Sequence, residues 1–163
     1  MTEPSGVPSE WAAKSVVCVG TVVLHERCVL LVRQAAGHSL AGQWTIPWGI
    51  VEAGEAPENT ALRETLEEGG IAVRVEGLLG IQNLPERGWI GILYLCRRVS
   101  GAPTPDGGVE TDAAAYFSAE RLAAHPEPVE PLSGWLARRV LKGEYHLIQP
   151  EPQNPFAPRL AFL

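Results

Sequence analysis

A chain of 163 residues, 45% apolar and 20% charged, can bury one full hydrophobic core and is too apolar to stay disordered. Its formal net charge of −6 argues against a general nucleic-acid binder, which needs clustered cations to displace counterions from phosphates. An acidic protein that meets anionic substrates must therefore bring cations to its site. Three cysteines, Cys18, Cys28 and Cys96, stand in apolar runs without the paired spacing of a zinc or disulfide framework, which predicts small buried hydrophobes in a reducing compartment. No run approaches the roughly 18 apolar residues of a membrane span, and residues 1–10 lack the basic-then-apolar layout of a secretory signal. A cytoplasmic location away from membranes is the expectation.

In chain order, residues 1–12 read as a flexible arm, 13–145 as one domain and 146–163 as a proline-rich tail. Val16 to Leu24 is β-branched, aliphatic or small and predicts a strand buried on both faces, followed by a polar turn at His25-Glu26-Arg27 and a second strand over Cys28 to Arg33. Gln34 to Gln43 is a loop, Trp44 to Pro47 a short extended segment, and Gly49 to Ala56 a glycine-rich loop. Pro57 opens a helix where its missing N–H costs nothing, and Gly69-Gly70 closes it. Ile71 to Val75, Leu78 to Leu84, Trp89 to Arg98 and Ala113 to Ser118 predict further strands. Ala119 to Ala124 predicts a helical turn, and Pro131 to Lys142 an amphipathic helix. Pro150, Pro152, Pro155 and Pro158 exclude a regular helix or central strand from the tail.

The helix opened by Pro57 carries the chemistry. At about 100° per residue, Ala61, Leu62, Thr65 and Leu66 share one side and Arg63, Glu64, Glu67 and Glu68 the other. Leu62 and Leu66 are thus expected against the sheet. Three clustered carboxylates repel one another and weaken an isolated helix. Hard oxygen ligands on a rigid element are what magnesium or manganese requires.

With the loop before it, this helix resembles the Nudix box, whose pattern is met in register by Gly49, Glu55, Arg63, Glu64, Glu67, Glu68, Gly70 and Ile71. Two residues depart from it: Thr65 stands at a usually aliphatic position, and Trp48 where a second glycine commonly precedes Gly49. The resemblance implies an α+β fold, a mixed β-sheet sandwiched between helices in an α/β/α arrangement. It implies hydrolysis of a diphosphate linkage, with Glu64, Glu67 and Glu68 as ligands of Mg2+ (or Mn2+) and an ion pair between Arg63 and Glu55. The backbone carbonyl of Trp48 is implied as a further metal ligand, under strain only if that position needs positive φ. Many members take another carboxylate from a later loop as general base or metal ligand; here the loop from Gly107 to Asp112 offers Glu110 first and Asp112 second.

For the substrate, a small nucleotide, Arg33 and Arg87 are the candidate phosphate contacts, and Trp44, Trp89 and Tyr94 the candidate base-stacking rings. His125 and His146 read as surface residues rather than bases. Pro85 stands close to where ADP-ribose-cleaving relatives carry a proline, a lean towards ADP-ribose or a sugar nucleotide. Dinucleoside polyphosphates and damaged nucleoside triphosphates stay open, as does a homodimer. An isomerase sharing the fold would need a cysteine and a glutamate facing its substrate, and a non-catalytic sensing domain usually lacks one of the metal-binding glutamates that this chain keeps.

Overall fold

The computed structural model describes residues 15–84 and 88–163, so the N-terminal arm, Pro85 and Arg87 lie outside the described residues. The apolar runs form β1 (Val16–His25) and β2 (Cys28–Gln34), paired antiparallel with His25 opposite Cys28. Between them Glu26 and Arg27 both take positive φ, 47° and 62°, the geometry that fits a two-residue turn to the strand twist.

β3 (Trp44–Thr45), β4 (Trp48–Ile50), β5 (Ile71–Leu84), β6 (Trp89–Gly101) and β7 (Thr111–Phe117) complete a seven-stranded sheet. The order is β3-β2-β1-β6-β5, with β4 added to β1 and β7 to β2. β1 and β6 run parallel and the other pairs antiparallel, so the sheet is mixed. The loop expected from Gly49 begins instead as β4, too short to show a period. The two strands expected over residues 71–84 are one, β5, whose register shifts at three places and so breaks the alternation a period of two would reveal.

Strand alternation sends Val22, Leu31, Leu93 and Leu95 to one face of the sheet and Val19, Val23, Leu30, Tyr94 and Cys96 to the other. The first set packs with Leu122 of α2 (Ala119–Ala124) and with Leu136, Ala137 and Val140 of α3 (Pro131–Lys142). The second packs with Ala61 of α1 (Pro57–Gly69). The α/β/α sandwich follows. α1 starts on Pro57 and ends where Gly70, at φ 70°, returns its N–H to the Leu66 carbonyl.

Leu62 and Leu66, expected against the sheet, are 38% and 54% exposed. The inward face is Thr60, Ala61, Glu64, Thr65, Glu68 and Gly69. Small residues let α1 sit close: a Cβ on Gly69 would come within 2.9 Å of Leu30 Cδ2, and Thr65 turns its hydroxyl back to the Ala61 carbonyl at 2.7 Å. The close approach is what brings the glutamates inward. Beyond α3 the tail has neither helix nor strand, but Ile148 bridges Leu78 and the Phe162 ring packs 5.5 Å from Tyr94. Among the described residues no helix is long and apolar enough to cross a membrane.

Candidate active site

A cavity of about 760 Å³ opens beside α1 and β4, lined by Glu64, Glu67 and Glu68, by Trp48 and Gly49, by Glu110 just before β7, and by Trp89. Gly49 is the point of closest approach: a Cβ there would lie 1.9 Å from Glu64 Cδ and Oε1. The Glu64 carboxylate rests in the space a side chain would fill.

Arg63 ties loop and helix together. Its Nε and Nη2 donate to the two oxygens of Glu55 at 2.9 and 3.0 Å, and its Nη1 donates to Glu64 Oε1 at 2.6 Å and to Glu67 Oε2 at 3.3 Å. Nη2 also reaches the Ile50 carbonyl at 3.2 Å. Glu55 accepts further from the Thr60 hydroxyl and the Glu52 N–H. The fork geometry of a bidentate arginine holds the Glu55 carboxyl down at about 2, with desolvation opposing it, and raises the guanidinium in turn. The expected Arg63–Glu55 pair is therefore present.

Glu68 is 3% exposed. Its Oε2 accepts the Trp48 N–H at 3.0 Å, yet burial dominates and pushes its carboxyl up to about 8, helped by the charges of Glu64 and Glu110. Burial likewise raises Glu64, against the pull of Arg63 and with the push of Glu67 and Glu110. A pocket that holds several carboxylates and strains their ionisation favours a cation. Among the described residues no three His, Cys, Asp or Glu side chains stand at metal-holding spacing. Glu64 and Glu67 are instead turned to Arg63, and Glu68 to the Trp48 N–H. The donor set, hard oxygens lining one cavity, fits a divalent cation. Trp48 carries no backbone strain, because Glu26 and Arg27 are the non-glycine residues of positive φ among those described.

Glu110 is positioned by Asp106, whose carboxylate accepts the N–H groups of Gly108, Val109, Glu110 and Thr111 at 2.8 to 3.1 Å. The two glycines do bend the loop, at φ 87° and 92°. Thr111 then fixes it to α1, donating its hydroxyl to the Glu68 carbonyl at 2.8 Å. Asp112 faces away: Arg33 Nε donates to its Oδ1 at 2.7 Å.

Several residues singled out in the sequence stand elsewhere. Arg33 does not line the cavity; it spans Asp112 and Glu127, both at 2.7 Å, because a bulge at the β2–β7 pairing turns Asp112 towards it. Trp44 is buried in the core: its ring packs edge-on against Phe117 and His125, and its indole N–H goes to Glu127. Tyr94 is buried on the α1 face. His125 is a half-buried partner of Trp44, not a surface residue. Cys96 is buried, as expected, but Cys28 is only half-buried. Cys18 touches the cavity, where burial pushes its thiol up and its S–H is given to the Ile90 carbonyl at 3.6 Å. Gln82, Leu84, Ile50 and Leu132 line the cavity unforeseen. Strand pairing brings the first three there and the packing of α3 brings Leu132, neither of which their spacing encodes.

A family model described as the NUDIX domain matches residues 14–138. A MutT-like protein of Streptomyces ambofaciens is 35% identical over 96 residues, 59% of this chain and 55% of that protein. An ADP-ribose pyrophosphatase of Methanocaldococcus jannaschii is 32% identical over 71 residues, 44% and 41% of the two chains. An 8-oxo-dGDP phosphatase of Homo sapiens is 33% identical over 100 residues, 59% of this chain and 30% of that protein. The match thus spans about half or less of the length of these relatives. The crystal structure of a NUDIX hydrolase from Nitrosomonas europaea superposes with a TM-score of 0.68 at 25% identity, covering 78% of this chain and 70% of that one.

Proposed function

This chain belongs to the NUDIX family, and from that premise we propose that it hydrolyses a diphosphate linkage in a nucleoside diphosphate derivative, with ADP-ribose or a sugar nucleotide as the favoured substrate class. The observation that carries the proposal is the gathering of Glu64, Glu67, Glu68 and Glu110 with Arg63 around one cavity. The relatives named for ADP-ribose and for 8-oxo-dGDP share a nucleoside diphosphate, which supports that class.

Nudix hydrolases generally use divalent metals, and magnesium or manganese is the ion proposed here. Glu64, Glu67, Glu68, the Trp48 carbonyl and Glu110 are the groups that would hold it. When bound, it neutralises the diphosphate and acidifies a water. The chain supplies the rest. Arg63 anchors the loop on Glu55 so that Gly49 and Trp48 stay against α1, and the Trp48 N–H fixes one oxygen of Glu68. Glu110 takes the proton of the attacking water, and that water displaces the leaving phosphate on phosphorus without a covalent enzyme intermediate.

Glu110→Gln is expected to lower kcat about tenfold or more while KM changes little, the pattern of a group used in the transition state. Asp112→Asn, whose partner is Arg33 outside the cavity, is expected to stay near wild-type turnover. Steady-state kinetics on both variants checks the ranking, and a crippled Asp112→Asn beside an active Glu110→Gln reverses it.

The function itself is tested by a panel of ADP-ribose, sugar nucleotides, dinucleoside polyphosphates and oxidised nucleoside triphosphates, with magnesium or manganese and with a chelator. Hydrolysis of a nucleoside diphosphate derivative that stops with chelator and returns with metal is the expected result. Tight binding of one compound with turnover of none would make the chain a nucleotide sensor instead.

A further inference from the structure

The residue that departs from the box pattern has an unusual seat. Trp48 pairs with Gly20 across β4 and β1, Gly91 lies opposite Cys18 on the neighbouring β6, and Gln82 of β5 lies opposite Gly91. A Cβ on Gly20 would stand 2.8 Å from Cη2 and Cζ2 of the Trp48 indole, and one on Gly91 would stand 3.4 Å from its Cη2 and Cζ3. Two glycines on adjacent strands therefore form a bed for the ring. They lie beneath it, whereas the half-buried Trp48, with Trp89, Gln82 and Leu84, lines the cavity.

The ring packs against the core residues of this face, Leu93 among them, and two glycines where aliphatic side chains would otherwise stand leave it room to reach the cavity. With no side chain at either glycine, the six-membered ring of the indole reaches over β1 and β6 beside the diphosphate chemistry. Its own backbone N–H holds Glu68 at 3.0 Å, so ring and carboxylate are fixed by one residue. A nucleobase, joined through a ribose to the phosphate next to the scissile linkage, has the flat apolar face that such a ring accepts. Gln82, whose Cβ flanks Gly91 as the ring does, also lines the cavity and carries an amide that can both donate and accept.

We propose that the Trp48 indole, bedded on Gly20 and Gly91, is the stacking platform that selects a nucleobase-bearing diphosphate. The assignment rests on the proposed hydrolase reading and adds the residue that sets its preference for nucleotides. ADP-ribose and its adenine-free counterpart, 5′,5″-diribosyl diphosphate, separate the two. In wild type, turnover of either compound tests the hydrolase reading, and the ratio of their kcat/KM values tests the platform. Trp48→Ala is expected to cut that ratio about tenfold or more, the size of one base–aromatic stack, while Trp48→Phe keeps most of it. An unchanged ratio, or a ratio that Trp48→Phe loses as fully as Trp48→Ala, overturns the platform. Should Trp48→Ala fail to fold, Trp48→Leu, with comparable apolar bulk and no ring, takes its place against Trp48→Phe. If wild type hydrolyses neither compound, ADP-ribose is not its substrate, the wider panel decides the hydrolase reading, and calorimetric affinities of the same pair decide the platform: a preference for ADP-ribose lost in the ring-free variants supports it, and no preference in wild type ends it.

Discussion

Glu68→Gln is expected to lower turnover roughly a thousandfold while making the metal-free protein more stable at alkaline pH, two effects that a merely structural glutamate would not combine. The first follows from its place: a carboxylate 3% exposed, aimed into the cavity, contributes charge there and little packing that glutamine would not replace. Glutamine can still accept the Trp48 N–H, so the local fold has no reason to change. The second follows from linkage. Burial raises the Glu68 carboxyl from 4.5 to about 8 in the folded protein, so the folded state holds the proton more tightly than the unfolded chain. The stability tied to this group is fully present below about 4.5 and is lost as pH rises through about 8. A divalent cation that needs the ionised form offsets the loss, increasingly so at higher pH. Thermal unfolding between pH 5 and 9, with chelator and with excess magnesium, is the measurement. The wild type should decline with pH in chelator more steeply than Glu68→Gln and recover with metal. Wild-type turnover in the variant removes Glu68 from the chemistry, and parallel pH profiles remove the buried-charge account.

Much of this site was legible because its chemistry sits on one short stretch whose spacing is rigid. Gly49, Glu55, Arg63, Glu64, Glu67 and Glu68 are local to a loop and a helix, and helix geometry alone puts Arg63 beside Glu67. The phase of that helix was harder to see. Hydrophobicity points to Leu62 and Leu66 as the buried stripe, but close packing through Ala61, Thr65 and Gly69 rotates the inward face towards the glutamates and leaves the leucines out. Function overrides pattern here, since charged residues must face a cavity that apolar logic would fill. Long-range features were read only in part: Glu110 and Trp89 do line the cavity, but other contacts depend on strand pairing. Arg33 looks like a phosphate contact at a strand end until β7 brings Asp112 to it, and Trp44 looks like a stacking ring until Glu127 and His125 close over it. Trp48 appeared as a departure from a pattern and as a backbone metal ligand, and its ring went unmarked because the two glycines that seat it lie far away in sequence and meet it through β1 and β6.

Gly49→Ala is expected to abolish most activity, by roughly a hundredfold or more, while the protein stays folded. A methyl at this position would lie 1.9 Å from Glu64 Cδ and 2.1 Å from its Cγ, a separation no pair of atoms tolerates. One of the two must move. Gly49 is held by pairing with Val19 in the middle of β4, so shifting the backbone would break a strand contact, whereas Glu64 is the end of a flexible side chain. The carboxylate should therefore swing out of the cavity, leave Arg63 Nη1 and cease to share the site with Glu67 and Glu68. Gly49 is not among the glycines of positive φ, so alanine is admitted by the backbone itself and the loss is steric in origin. Gly54→Ala provides the contrast within the same loop. Its φ of 81° strains an alanine, but nothing lies within 4 Å of the added methyl, so it is expected to cost about 1 kcal/mol of stability and little turnover. Activity and thermal unfolding measured on both variants distinguish a crowded carboxylate from a strained loop. Gly49→Ala with wild-type turnover would mean that the Glu64 position is not required. Equal loss of activity in both variants would make loop conformation, not the Gly49–Glu64 contact, the sensitive feature.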